Sequence, residues 1–365
     1  MSISEFHTVP FHLDIMKVMV TGLLAFIIAF AFTPFWTNIL YKYKIGIKIK
    51  KNSVQGDKLT YVSQFYADKG GTPTMGGVII WVSITILIFA SYFIFPHLAA
   101  LYDTNFIARL DFLSRKETYL PLFALVSAGI LGLFDDIMSV RGWGSNKGGG
   151  MRFAMRFGWL FVIAGLGAWW FYSKLGWDVI HIAGVGDFAI GLWYIPVFIF
   201  VILFAAFSSN ETDGLDGLNG GVLLIAFASF AVIAFTQNKV DLAAFCAAIS
   251  GALLAFLWFN IHPARFIMGD TGAMSLGATL GVIAMLTNSV LALFIIVFIY
   301  VLESGSAFIQ LTSKRFFGRK VFIAAPIHHH FQGLGWPEPK IVMRAWIFTA
   351  LTAGIGTLIA TIGQG

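Results

Sequence analysis

Residues 195–235 read IPVFIFVILFAAFSSNETDGLDGLNGGVLLIAFASFAVIAF. Two long apolar runs, near 189–207 and 220–236, flank a short segment holding Glu211, Asp213 and Asp216 together with Gly214 and Gly217. Neither run alternates apolar with polar residues, so neither is a half-buried strand. As helices, both approach the roughly 20 residues needed to cross a hydrocarbon core of about 30 Å. In lipid every backbone N–H and C=O must find its partner inside the segment, which leaves the helix as the only form for such a run. The acidic segment between them then turns at one membrane surface.

The same pattern recurs along the chain. Ten apolar runs lie near 15–35, 78–96, 119–134, 157–173, 189–207, 220–236, 242–259, 272–286, 288–311 and 345–362. The composition agrees: 58% of the residues are hydrophobic and 12% charged, against about 25% charged in a soluble domain. The sequence therefore predicts an all-α integral membrane protein, a bundle of about ten transmembrane helices forming a single domain over residues 1–365. The first run follows Glu5 and Asp14 rather than a basic leader, and reads as a permanent helix. Cys246 is the only cysteine, so no disulfide framework exists. The net charge of +6 in so apolar a chain fits basic membrane-facing loops rather than nucleic-acid binding.

An even number of spans places both termini on one side. Most Lys and Arg residues fall in the loops after the odd-numbered runs, including Lys42, Lys44, Lys48, Lys50, Lys51, Lys58 and Lys69 in the first. The positive-inside rule makes those loops cytoplasmic and both termini external. Every unusual polar cluster lies in the same loops, at one membrane face.

Asp135 and Asp136 close the third run. Adjacent carboxylates can hold Mg²⁺, or one can act as a base that the other orients; a solvated helix end is the plainer alternative. Asn210, Asp213 and Asp216 recur every third residue, which on a helix shares one face. They suit Mg²⁺ or sugar hydroxyls, or form a solvated loop. Asn260 and Met268-Gly269-Asp270-Thr271-Gly272 repeat the pattern at the start of an apolar helix, whose N-terminus can bind phosphate. Asp270 could equally be a simple N-cap. Lys69 with Gly71-Thr72-Pro73-Thr74-Met75-Gly76-Gly77 is a candidate phosphate cradle, or a capped turn. His328, His329 and His330 are consecutive, so they cannot all point one way; one or two contacting a phosphate is the preferred reading, and a solvated loop the other. Carboxylates, basic loops and phosphate-binding turns at a membrane face point to phosphoryl transfer involving a lipid.

These segments carry a resemblance. Gly71–Gly77, Asp135-Asp136, Thr212–Leu218 and Met268–Gly272 resemble the signatures of the polyprenyl-phosphate N-acetylhexosamine-1-phosphate transferase superfamily, along the whole chain. Pro326-Ile327-His328-His329-His330-Phe331, followed by Gly335–Lys340, resembles its muramoyl-peptide branch. The resemblance implies transfer of phospho-MurNAc-pentapeptide from UDP-MurNAc-pentapeptide to undecaprenyl phosphate, giving lipid I and UMP. It implies a Mg²⁺-dependent homodimer with a cytoplasmic-face cleft, in the bilayer of the bacterial cytoplasmic membrane. By position, it makes Asp270 and Asp213 the metal ligands. Asp135, Asp136, Asp270 and His329 become the catalytic set, with Asp135 the candidate base toward the lipid phosphate. Lys69, Thr74, Asn210, Asp213, Asp216, Asn260, Ile267, Gly269, Gln310, His328 and His330 become substrate contacts.

This chain departs from the family pattern in four places. Ser139 stands where a lysine is usual, and Arg152 or Arg156 must serve for a second lysine downstream. Glu211 replaces an apolar residue, and Ile267 replaces an aromatic one. A sister enzyme using UDP-GlcNAc and a membrane transporter are the alternative readings.

Overall fold

A computed structural model describes residues 11–43, 45–46, 69–102, 107, 110, 116–144 and 149–362. The basic stretch containing Lys44, Lys48, Lys50, Lys51 and Lys58 lies outside them. The described residues are almost all helical. In chain order the helices are α1 (Phe11–Lys42), α2 (Val78–Phe89, continued through a π-helical turn to Tyr102), α3 (Lys116–Arg141) and α4 (Phe153–Trp170). Then come α5 (Tyr194–Thr212), α6 (Leu218–Thr236), α7 (Val240–Asn260) and α8 (Asp270–Leu286). The last four are α9 (Val290–Ile296), α10 (Phe298–Phe317), α11 (Ile327–Gly333) and α12 (Glu338–Ile362). Among the described residues eight helices are long and apolar enough to span a membrane, and the α9–α10 pair brings that to nine. The shorter apolar α8 accounts for the tenth run.

Helix α8 is the axis of the bundle. Every side chain from Thr271 to Leu286 is buried. Small residues admit its neighbours: Gly272 meets the backbone of Gly77, Gly277 meets Ala205 and Ala206, and Gly132 of α3 meets the carbonyl of Asp270. Close backbone approach through small residues is how helices associate where lipid removes the hydrophobic drive. Hydroxyls in the spans bond back one turn, as in Thr21 to the Lys17 carbonyl and Thr279 to that of Ser275, both at 2.7 Å. The outer girdle is apolar, with Leu23, Ile27, Leu166, Trp169, Leu351 and Leu358 all exposed.

Two features depart from the sequence expectation. The run at 288–311 is not one straight span: α9 and α10 meet at 79° across Val297. Its second half carries Glu303, Ser306 and Gln310 on one buried face and Phe308, Ile309 and Leu311 outside. A helix with that much polarity leaves the bundle axis and turns its polar face toward the loops at the site. A short antiparallel hairpin, Val179–Ile182 with Gly186–Ala189, follows α4. It packs near the loops at 237–239 and 287–288, the end opposite the acidic clusters.

Candidate active site

The first half of the site assembles around the N-terminus of α8. Gly269 precedes that helix with φ 75°, a left-handed value that favours glycine. A Cβ there would lie 2.6 Å from both Thr74 Oγ1 and Asp136 Oδ2, so the turn also needs the missing side chain for space. The helix start is not left open for a substrate phosphate. Asp136 of α3 fills it: Oδ1 accepts from Asp270 N at 3.3 Å and Oδ2 from Thr271 N at 3.0 Å. Asp213 adds a third bond, accepting from Gly269 N at 2.9 Å. A carboxylate from another helix thus caps α8. The reason is topological: α3 runs beside α8 and delivers its last turns to that end.

The Gly71–Gly77 segment is likewise spent on structure. Gly76 N and Gly77 N donate to Ile267 O and Met268 O at 2.9 and 2.8 Å, and Ile267 N donates to Pro73 O at 2.8 Å. Thr74 N donates to Ile45 O at 3.1 Å. These amides do not cradle a phosphate; they lock two signature segments together and leave the Thr74 hydroxyl beside Gly269.

Asp135 and Asp270 face one another across Arg156, in the first turn of α4. Arg156 Nη1 donates to Asp270 Oδ2 at 2.8 Å and to Asp135 Oδ2 at 3.3 Å. Asp135 Oδ1 accepts from Met151 N. Asn210, near the end of α5, donates to Asp270 Oδ1 at 2.6 Å. Asp135 and Asp270 thus meet at one guanidinium, while Asp136 and Asp213 hold the backbone amides of the turn that carries Asp270. Burial holds the Asp213 carboxyl well above the ordinary carboxylate range; the Gly269 N–H opposes this and the Asp270 charge reinforces it.

Asp213 and Asp216 do not share a helix face. Helix α5 ends at Thr212, and Gly214 and Gly217, the latter at φ 78°, open a turn. Asp216 therefore faces a second cluster. Its Oδ1 accepts from Lys69 Nζ at 2.7 Å, and its Oδ2 from Ala264 N at 3.1 Å and from His262 Nδ1 at 3.0 Å. Lys69 also reaches Glu338 Oε1 at 2.6 Å, and the Asp216 amide bonds the same oxygen. Asp216, His262 and Glu338 form the one group with metal-compatible spacing among the described residues. That group already contains a cation, the Lys69 ammonium. Burial raises the Asp216 pKa, but Lys69, Ala264 N and His262 outweigh it and the net shift is downward.

The three histidines part company, as consecutive residues must. His328 is buried, with Nδ1 2.9 Å from Glu303 Oε2 and its ring against Gly214. His329 bonds Gln332 Oε1 through Nδ1 at 2.8 Å and packs on His328. Burial, then His328, pushes the His329 pKa down to about 3, so its imidazole is neutral near pH 7. His330 Nδ1 accepts from Ile323 N at 3.2 Å. Gln310 holds the 321–322 backbone with both ends of its amide. Asn260 joins Gly217 N at 3.0 Å to Phe266 O at 2.8 Å. Ile267 is half-buried at the edge of the turn. Gln310, His330 and Asn260 thus brace the loops, while Asp135, Asp213, Asp270 and Asn210 converge.

Glu303 and His262 went unread in the sequence. Glu303 had a signal: it is a lone carboxylate inside an apolar run, and such residues are functional or structural by default. His262 had none, because its partner lies 46 residues away.

The glycosyl transferase family 4 model matches residues 118–288, the span that contributes all four converging aspartates. Fold and site together define a membrane-embedded phosphoglycosyl transferase. The chain is 34% identical over 346 residues to a phospho-N-acetylmuramoyl-pentapeptide-transferase of Geobacillus sp. (strain WCH70), covering 94% of this chain and 98% of that one. A Chloroflexus aurantiacus protein of that name (strain ATCC 29366 / DSM 635 / J-10-fl) is 33% identical, covering 96% of this chain and 91% of its own length. One from Geobacillus kaustophilus is 35% identical, with 94% and 97% covered. This chain belongs to the phospho-N-acetylmuramoyl-pentapeptide-transferase family.

Proposed function

We propose that the protein transfers phospho-MurNAc-pentapeptide from UDP-MurNAc-pentapeptide to undecaprenyl phosphate, releasing UMP and forming lipid I for peptidoglycan synthesis. The observation that carries this is the junction of two unlike surfaces. Asn210 touches Asp270, and three residues earlier on α5 Phe207 lines an apolar groove of about 640 Å³. Phe157, Phe161, Phe204 and Phe308 line it too, and its polar end is Ser208, Glu211 and Ser304. A prenyl chain fits such a groove, with its phosphate at the carboxylate end. The relatives' name supports the muramoyl-peptide donor.

The donor atoms at the converging site are carboxylate and amide oxygens, which fit Mg²⁺. Asp270 and Asp213 would hold it, with Asp135 adjacent. When bound, it neutralises charge on the pyrophosphate. Asp136 fixes the height and direction of Asp270 through the α8 amides. Asp135 is the candidate base toward the lipid phosphate. Asn210 orients the Asp270 carboxylate. Lys69, Thr74, Ile267 and His329 are the contacts that the resemblance implies for the nucleotide-sugar. The basic-loop asymmetry puts this end at the cytoplasm and both termini outside the inner membrane. The whole chain acts as one domain and pairs as a homodimer.

The test is UMP release by purified protein with undecaprenyl phosphate, offering UDP-MurNAc-pentapeptide or UDP-GlcNAc. Mg²⁺-dependent release from the muramoyl donor alone is expected. Preference for UDP-GlcNAc would point to the sister activity instead.

A further inference from the structure

Arg156 contacts the site in an unusual way. A guanidinium serving a permanent structural pair usually presents two nitrogens to one carboxylate in a parallel fork. Here Nη1 alone serves two carboxylates, Asp270 Oδ2 at 2.8 Å and Asp135 Oδ2 at 3.3 Å. One atom between two carboxylate oxygens is how a metal ion is held. Meanwhile Nε is buried with no hydrogen-bond partner, so the guanidinium is only partly satisfied in this pose. The side chain is 20% exposed, so it has a way out. Its neighbours on the helix, Phe153 and Phe157, line the apolar groove. Arg156 thus bonds the carboxylates from the same helix turn that lines the groove.

We propose that Arg156 is an exchangeable counter-ion: it holds Asp135 and Asp270 together while no divalent cation is bound, and is displaced when one enters. The displaced guanidinium then takes the phosphate of the lipid acceptor at the mouth of the groove. The inference rests on the reading of Asp270 as a metal ligand. It adds that the same side chain opposes cation binding and assists acceptor binding. No bond is made or broken; two ion pairs exchange. With Arg156 gone, the cation meets the two carboxylates with no competitor. With Arg156 present, loss of its contacts is charged against cation affinity.

The test measures Mn²⁺ binding to the purified full-length protein by electron paramagnetic resonance, without substrates, alongside steady-state kinetics in undecaprenyl phosphate. Arg156→Gln is expected to bind Mn²⁺ about tenfold more tightly, since a like charge a few ångströms away is removed. Its KM for undecaprenyl phosphate is expected to rise at least tenfold. Arg156→Lys keeps the charge and should bind Mn²⁺ within a few-fold of the parent, which also guards against a variant that does not fold. Unchanged or weaker Mn²⁺ binding by Arg156→Gln overturns the inference. Asp270→Asn is the separate control: if it binds Mn²⁺ as the parent does, the metal reading itself is at fault.

Discussion

The two charged clusters share the 213–217 turn, yet they are built on different electrostatic plans. Around Asp216, two carboxylates close on the Lys69 ammonium, with His262 as a further partner, and burial leaves little of it to solvent. Around Asp270, two carboxylates meet one guanidinium while those of Asp136 and Asp213 bond the backbone amides of the turn, and Asp213 resists ionisation there. Charges taken out of water persist only when paired. The first cluster has its cation already in place. The second holds more carboxylates than cations, and on the proposed function that deficit is where a cation and a phosphate would enter. Density of acidic residues alone would not separate the two; the balance of charge does.

The comparison breaks first at Asp270. Asp270→Asn keeps the volume and the contact with Asn210 but removes a negative charge from the deficient cluster. Turnover should fall on the order of 10³-fold or more, with the melting temperature in detergent close to that of the parent. Stripping the parent with EDTA should have the same effect on rate, reversed by Mg²⁺. A rate for Asp270→Asn within tenfold of the parent would mean that the open cluster is not the reacting one.

The closed cluster should respond the other way. Lys69→Met leaves Asp216 and Glu338 buried side by side without their cation, at side-chain exposures of 6% and 11%. Removing one partner of a buried pair costs about 3–5 kcal/mol. A large fall in melting temperature is therefore expected, beyond any loss of donor affinity. Lys69→Met with parental stability would show that this cluster is loosely held and available to substrate.

The contrast also marks what was legible in the sequence. The apolar runs and their helical form were legible, because the bilayer leaves a segment so few choices, and eight of them, or nine with the bent pair, are long enough to span among the described residues. The converging aspartates were legible as residue types. Their division of labour was not. Asp135 and Asp136 are neighbours in sequence, yet one faces Arg156 and the other caps a helix 134 residues on. Asp213 and Asp216 have helical spacing, but the Gly214–Gly217 turn sends them to different clusters. The bend at Val297 was hidden because hydropathy reports lipid compatibility and carries no signal for direction.

Acid titration sharpens the comparison further. His329 has its folded pKa depressed from 6.5 to about 3. The unfolded chain therefore gains a proton below pH 6.5 that the folded protein refuses, and stability falls as pH drops from 6.5 toward 3. The slope from one such group is at most about 1.4 kcal/mol per pH unit. Asp216, with its pKa lowered, contributes stability above the unfolded value of 3.8 that is lost only in stronger acid. Asp213, with its pKa raised, opposes the trend: its contribution grows as pH falls toward 3.8. Whatever the net slope of the parent, the melting temperature of His329→Gln should rise relative to that of the parent as pH falls from 7.5 to 5. Parallel curves would place His329 in water.

The smallest effect is expected at Ile267, beside the Asp270 turn but outside both clusters. Its amide and carbonyl are tied to Pro73 and Gly76, so the backbone there will not shift with the side chain. The side chain is half-buried and borders the space proposed for the nucleotide. The family resemblance puts an aromatic ring at this position, suited to cover a uracil. Stacking of a base on an aromatic side chain is worth about 1–3 kcal/mol in other nucleotide sites, and an aliphatic side chain recovers part of that through buried area. Ile267→Phe should therefore tighten UMP by about 1 kcal/mol, a few-fold in Kd. The gain should be shared by substrate and transition state, so KM for the UDP-sugar should fall while kcat stays within twofold. Calorimetric titration of UMP into both proteins reads the effect directly. Unchanged or weaker UMP binding would mean that Ile267 does not face the base, and the turn would then serve only to hold Gly269 and Asp270 in place.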